Sequence, residues 1–588
     1  MGQKSIDPAL RALDGRGRYQ WLQVLILNVG AFGAAFQLLD NIFIGRAVTG
    51  QRCAGPDNTS DVASDLRTVD WNDSHVTGYG KCEITVSKGN LSGDTHQYPC
   101  PYGYEYDYRR ELSFRTEFDL VCDRKLLGGL VQTLVIFGQG CGAVLSSIFS
   151  DRFGRKPTLI ASQLGLLGVG MAIGLAPNYA ALLVFKFLVG GFQQGVVGVK
   201  ATMTIELFPK EYRAVALLMD ALFWGLGASV MALPAFLLRD FTWRYLQYAL
   251  SAVSALTSLL QLWYIDESLR WLVANGKKDA AVTVLERAAR VNRKDFTVIV
   301  STLDDSVTET ENSQLTADAV NGNVDGYAEV EGKASNGGDN GTTTLCSDLT
   351  ALEAKLAETL EHKQAKKLTL LDIFRHRTLF IHSLVTWLTW FTCAFAFFAL
   401  YMMSTTLHGN RFLNYFLTAA MELPTGFVIY FILDRVGRKT ATRGMFILAG
   451  VGLIASGIFR VFTGNATLGT LSVVTAMLGM LGASGGFALV FFFTPELFPT
   501  NMRNQALGVA SFAGRLGGML APFMTDLADI AIWAPGVMIG SLCFVVVVLF
   551  RFIPETRGRE LPHTIEDIEA WEKESLPTND SSSLDVRV

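Results

Sequence analysis

Charge is scarce in this chain. Asp, Glu, Lys and Arg make up 18% of its 588 residues, against roughly a quarter in an ordinary soluble domain. Histidine is scarcer still, with seven copies. No His and Cys residues cluster at ligand spacing, so no metal or cofactor is expected. The chain has no glycine-rich phosphate loop and no nucleophile–base constellation, so an enzyme is not expected. No basic stretch interleaved with aromatics is present, so nucleic acid is not an expected partner. A cleavable leader is also not expected. The first 20 residues are polar, with Arg11, Arg16 and Arg18, and the first apolar run is long enough to persist as a helix.

What is abundant is apolar. Half of the residues are hydrophobic, 39 are Phe, and the mean hydropathy is +0.30. Several runs reach the 18 or more residues that a helix needs to cross a hydrocarbon core of about 30 Å. Twelve spans are read: 21–44, 126–149, 158–176, 179–201, 213–236, 245–265, 379–403, 411–433, 441–462, 468–493, 505–528 and 533–553. The expected fold is an all-α membrane protein of two six-helix halves, with membrane lipid as its surroundings. The halves are 21–265 and 379–553. Between them lies a linker, 266–378, and outside them lie an N-terminus, 1–20, and a tail, 554–588.

Three charged motifs recur in the same order in both halves. Asp151-Arg152-Phe153-Gly154-Arg155-Lys156 returns 283 residues later as Asp434-Arg435-Val436-Gly437-Arg438-Lys439. Glu206-Leu207-Phe208-Pro209 with Arg213 returns as Glu496-Leu497-Phe498-Pro499 with Arg503. Glu267, before Ser268 and Arg270, is answered by Glu555, before Thr556 and Arg557. This is a duplicated membrane unit. In the first motif Gly permits a tight turn, and the Asp can sit against a helix N-terminus. The Arg side chains can fork onto Glu206, Glu496, Glu267 and Glu555. A ring of such pairs is expected to act as a gate on one face.

Basic residues in the short loops place that face, and both termini, in the cytosol. The loop 45–125 then lies outside. It holds Cys53, Cys82, Cys100 and Cys122, which allow three pairings, and acceptor sequons at Asn58, Asn72 and Asn90. Sequons also occur at Asn340, Asn465 and Asn579. The clustering with cysteines in one loop points to the plasma membrane. In the linker, 277–294 and 349–367 read as helices. Residues 300–347, rich in Gly, Asn, Thr and Asp, read as disordered.

On these motifs, the large four-cysteine loop and the long mid-chain linker, the sequence resembles the major facilitator superfamily. Within it, it resembles the solute carriers of organic cations, carnitine and organic anions. It departs at Asp266-Glu267-Ser268-Leu269-Arg270-Trp271-Leu272, where that family has prolines in place of Asp266 and Leu269. The resemblance implies alternating access and a small organic ion as substrate, with sodium or a proton as a possible co-transported ion.

Charges inside the spans cost roughly 2.5–3.5 kcal/mol each on insertion scales, so each needs a partner or a use. Arg515, in span eleven, matches a position that the resemblance implies is arginine in anion and carnitine carriers. Its fork suits a substrate carboxylate. Gln194 matches a glutamine of the carnitine-type members. Glu422, in Met421-Glu422-Leu423-Pro424, can face a substrate ammonium or pair with Arg515 to hold helices together. Trp390 and Phe397, seven residues apart and so on one helix face, match cavity aromatics and suit a quaternary ammonium. Lys186 matches a basic residue of structural role. Asp220 is a candidate ion-coupling site or a partner of Lys200. A carnitine-like zwitterion or organic anion is the first expectation for the substrate. A polyspecific organic cation carrier, or a receptor that no longer transports, are the rivals.

Overall fold

The structure, a computed structural model, describes residues 7–46, 48, 50–55, 74–88, 95–296, 299, 372–462, 465–499, 502–557 and 562, 565, 567, 568 and 571. The sequons at Asn58, Asn72 and Asn90, and the readings for 300–347 and 349–367, lie outside them.

Twelve helical spans are present among the described residues. Span one runs Arg18–Gly30, Phe32–Leu39 and Asn41–Ile44. Spans two to four are Lys125–Phe153, Arg155–Gly174 and Tyr179–Glu206. Span five is Arg213–Val230 with Ala232–Leu237, and span six is Trp243–Tyr264. Span seven is Arg377–Ser404, and span eight is Arg411–Ala420 with Glu422–Val436. Spans nine and ten are Arg438–Val461 and Ala466–Glu496. Span eleven is Arg503–Leu520 with Phe523–Ile530, and span twelve is Ala534–Leu549.

By length and apolarity alone ten of these would cross a membrane, or eleven with the bent pair of span eleven. Span six is long enough but polar on its buried side. Its Gln247 donates to Gln37 and to the Gly170 carbonyl, and Gln261 donates to the Leu27 carbonyl. Those bonds settle the amides inside the first half, where water is absent.

Proline places three of the breaks. A proline ring clashes with the carbonyl four residues earlier and removes one ladder bond. Pro234 stands four residues after Val230, where the first segment of span five ends. Pro424 stands four after Ala420, where span eight breaks. Pro522 caps the second segment of span eleven. Glycines let other spans touch backbone to backbone. A Cβ on Gly190 would overlap the Val135 carbonyl oxygen, which brings span four directly onto span two.

One expectation needs adding to. The large loop is not all coil. Strands β2 (Ser74–Tyr79), β3 (Glu83–Lys88) and β4 (Thr95–Pro99) form an antiparallel sheet, and β1 (Arg52–Cys53) pairs with β5 (Tyr104–Glu105). Alternation buries Ile84 and Val86 on one face of β3. Disulfides join Cys53 to Cys100 and Cys82 to Cys122, which selects one of the three pairings. On the opposite face, helix Lys278–Asn292 and helix Asp7–Ala12 bury Leu10, Leu13 and Tyr19 against Leu285 and Ala288.

Candidate functional site

The repeated motif builds the same device twice. Gly154 closes span two with φ 115° and ψ 162°, and Gly437 closes span eight with φ 96° and ψ 156°. These backbone angles belong almost only to glycine. The next helix therefore starts abruptly, with its first amides bare. Glu267 occupies that end: its carboxylate accepts from the Arg155 amide at 3.0 Å and the Lys156 amide at 3.2 Å. Glu555 does the same for Arg438 at 2.8 Å and Lys439 at 3.2 Å.

This corrects the sequence reading. Glu267 and Glu555 bind backbone amides rather than arginine side chains, because a helix N-terminus supplies both donors and a positive dipole end. Asp151 does not cap a helix start; it pairs with Arg155 at 3.1 Å, one turn along. Arg155 also pairs with Glu206 at 3.2 Å, and Arg438 with Glu496 at 3.5 Å. Thr556 donates to Glu496. Arg152 is exposed and lies over the Phe153 ring. Arg435 is exposed and offers its carbonyl to Arg557. Asp434 lies in the last turn of its helix, and its side chain lies outside the described structure. Arg213 and Arg503 are half-buried, and their Nε atoms have no hydrogen-bond partner.

All of these pairs stay within one half. Among the described residues, no ion pair joins the halves on the motif face, so the expected ring is two separate clusters. Polar contact between the halves is on the other face and near mid-span. Lys125 pairs with Asp529 at 2.6 Å, Arg115 with Asp526 at 3.9 Å, and Thr133 donates to the Met519 carbonyl at 2.8 Å. Phe43 of span one stacks on Phe412 of span eight at 5.6 Å and meets Tyr415 edge-on at 4.7 Å. The loop face is the closed one.

Between the halves, Arg515 projects from span eleven. Its guanidinium donates to the Gln139 carbonyl oxygen of span two at 3.4 Å, and the Gln139 amide donates to Gln193 of span four at 2.7 Å. No carboxylate lies at ion-pair distance from Arg515 among the described residues. Glu422, 6% exposed, is not its partner. The Glu422 carboxylate accepts from the Tyr401 hydroxyl, and Trp224, a residue of the opposite half, lies near it. The structure therefore overturns the sequence alternative of an Arg515–Glu422 pair, since each group is held by neutral donors or acceptors instead.

Trp390 and Phe397 share one face, as expected, and both are buried. The Trp390 indole donates to Thr494 at 2.8 Å, and its ring meets Phe491 at 4.5 Å. Phe397 stacks on Phe487 at 5.7 Å and meets Tyr401 at 5.1 Å. Gln194 is half-buried, and its neighbour Gln193 holds the Arg515 tether. Asp220 pairs with Lys200 at 2.5 Å, and Lys200 also donates to Asn28.

Sequence reasoning missed Asp40. It sits in span one, fully buried, and receives both hydrogen bonds of Lys186 at 2.7 Å. The signal was available as a lone carboxylate inside an apolar run. Gln139, Gln193 and Trp224 carried no comparable signal, since amides and indoles are common in spans.

Comparison with known proteins bears on the family and the fold. A family profile describing the Major Facilitator Superfamily matches residues 124–522. The chain is 29% identical to the "Organic cation transporter-like protein" of Drosophila melanogaster, over 97% of this chain and 93% of that one. It is 27% identical to human "Solute carrier family 22 member 16", over 98% and 95%. Among solved structures, the inward open conformation of the xylose transporter XylE from E. coli superposes with a TM-score of 0.56, 14% identity and coverage of 94% and 100%. At that identity the likeness is one of fold.

Proposed function

The chain belongs to the major facilitator superfamily, and from that premise we propose that it carries carboxylate-bearing organic ions across the plasma membrane by alternating access. Carnitine-like zwitterions or organic anions are the substrates. The motif face and both termini are cytosolic, following the basic residues of the short loops. The two clusters built on Gly154 and Gly437 then make each half a rigid body, and the halves rock against each other. With the outer face closed, the site opens to the cytosol.

One observation carries the substrate reading. Arg515 stands between the halves, with an amide as its one hydrogen-bond partner and no neutralising carboxylate among the described residues. A cation so placed in lipid is costly unless it has a use. A substrate carboxylate fits its fork bidentately. Glu422, with Tyr401 and Trp224 around it, supplies the complementary end for an ammonium, and Trp390 and Phe397 brace the apolar wall between. This is also what favours the second reading, a cation carrier in which Glu422 selects charge and Arg515 positions helices. Asp220 and its Lys200 partner are the proposed place for a coupling proton or sodium.

Uptake into proteoliposomes separates these readings. Arg515→Gln is expected to lower kcat/KM for a carboxylate-bearing zwitterion by about 10- to 100-fold, the worth of one charge-assisted hydrogen bond or a bidentate pair. A permanent cation lacking a carboxylate keeps its rate. Equal loss for both substrates would place Arg515 among the structural residues and leave the cation reading standing.

A further inference from the structure

The closed loop face holds a second group of arginines, away from the central site. Arg46 follows span one in the first half, and Arg411 opens span eight in the second. Both are half-buried, and neither makes an ion pair among the described residues. The Arg46 guanidinium lies over the Tyr108 ring at 4.3 Å, and that of Arg411 over the Phe412 ring at 4.6 Å. The Tyr108 phenol lies in the positive field of Arg46, Arg115 and Arg411. Arg46 follows closely after Phe43, and Phe43 stacks on Phe412, the neighbour of Arg411, so the two like charges flank one seam.

Among the described residues no carboxylate lies at ion-pair distance from Arg46 or Arg411. Asp240, which faces Arg411, is largely exposed and sits 3.4 Å from its neighbour Arg239. Asp526 divides its charge between Arg115 and Lys125, each at 3.9 Å. The buried Arg115 Nε has no hydrogen-bond partner, and burial holds that guanidinium below its ordinary pKa. Two like charges from opposite halves thus meet at a seam that is otherwise closed by the Phe43–Phe412 stack. Desolvating them together opposes closure.

We propose that Arg46 and Arg411, with Tyr108 beside them, form an anion site at the seam of the loop face, and that a small carboxylate bound there bridges the two halves and stabilises the closed outer face. Guanidinium groups present planar donor pairs that match a carboxylate from either side. The site differs from the one at Arg515 in place and in effect. It acts on the equilibrium between open and closed faces, because the bridging anion binds only where both arginines approach each other.

Thermal unfolding of the purified full-length protein tests this, with acetate as the probe at an ionic strength held constant by a buffer anion too bulky for the seam. The wild type is expected to show a saturable rise in midpoint. Arg46→Gln and Arg411→Gln are each expected to weaken the apparent affinity about ten-fold or more. Because the Arg515 fork also fits a carboxylate, the titration is repeated in an Arg515→Gln background, where the rise that depends on Arg46 and Arg411 is expected to remain, which separates this site from the central one. Without acetate, Arg411→Gln is expected to be more stable than the wild type, because the repulsion is gone. In the Arg515→Gln background a response that does not saturate, or that survives Arg46→Gln and Arg411→Gln, overturns the proposal. So does a response lost in Arg515→Gln. If one variant yields no folded protein, the other decides alone.

Discussion

Lys186→Met is expected to cost the folded protein about 3–5 kcal/mol, the usual penalty for stripping one partner from a buried ion pair. Lys186 in span four and Asp40 in span one are both fully buried, and the ammonium donates to both carboxylate oxygens at 2.7 Å. Methionine keeps the length of the stem and removes the charge. The Asp40 carboxylate then stays in a dry interior with the Asn41 amide as a minor partner. The double variant Asp40→Asn/Lys186→Met is expected to recover most of the loss, since a neutral pair of similar volume needs no compensation. Midpoints of thermal unfolding in detergent, with the monodisperse yield, measure both. A single variant as stable as the wild type would show that the pair contributes nothing. A double variant as poor as the single would show that shape, and not charge, decides the site.

The second large effect is expected at the repeated glycines. Gly154→Ala places a Cβ on a residue with φ 115°, and that Cβ overlaps the Glu267 carboxylate. At Gly437 the φ is 96° and the Glu555 oxygen would lie at 2.8 Å. Backbone strain alone is worth about 1–3 kcal/mol. Displacing the carboxylate also bares the amides of the following helix, a capping loss of about 0.5–2 kcal/mol. Either alanine variant is therefore expected to unfold earlier and to transport several-fold more slowly, with KM for substrate nearly unchanged, because the central site is not touched. Glu267→Gln keeps the shape and the acceptor oxygen but loses the charge at the dipole, so a milder loss of about 0.3–1 kcal/mol is expected. If Gly154→Ala and Gly437→Ala both match the wild type in unfolding and in rate, the turn is not what makes each half rigid.

The legibility of the site in the sequence was uneven, for physical reasons. Gly154, Glu206 and Glu267 announced themselves because they recur, and recurrence reveals that residues act together. It does not reveal which atoms meet. Glu267 and Arg155 carry opposite charges, yet the carboxylate takes the Arg155 backbone amide, and the guanidinium goes to Glu206. Only the helix start made by Gly154 decides that. Arg515 was legible as a charge in an apolar run. Its tether was not, because Gln139 lies 376 residues away and nothing in a glutamine's neighbours says which amide it meets. Asp40 was legible and was passed over.

Span and turn were decided by the sequence itself. Apolar length sets how many helices cross, proline sets where spans five and eight break, and glycine sets how spans two and eight end. These are local properties, fixed by side-chain solvation and by the backbone angles that each residue tolerates. Partner choice was decided by the tertiary structure alone. Lys186 finds Asp40, Glu422 finds Tyr401, and Arg46 and Arg411 flank one seam with no ion pair to either among the described residues. In a low-dielectric interior the worth of a charge depends on the few atoms around it. Those atoms come from helices far apart in the chain, so no local pattern contains them.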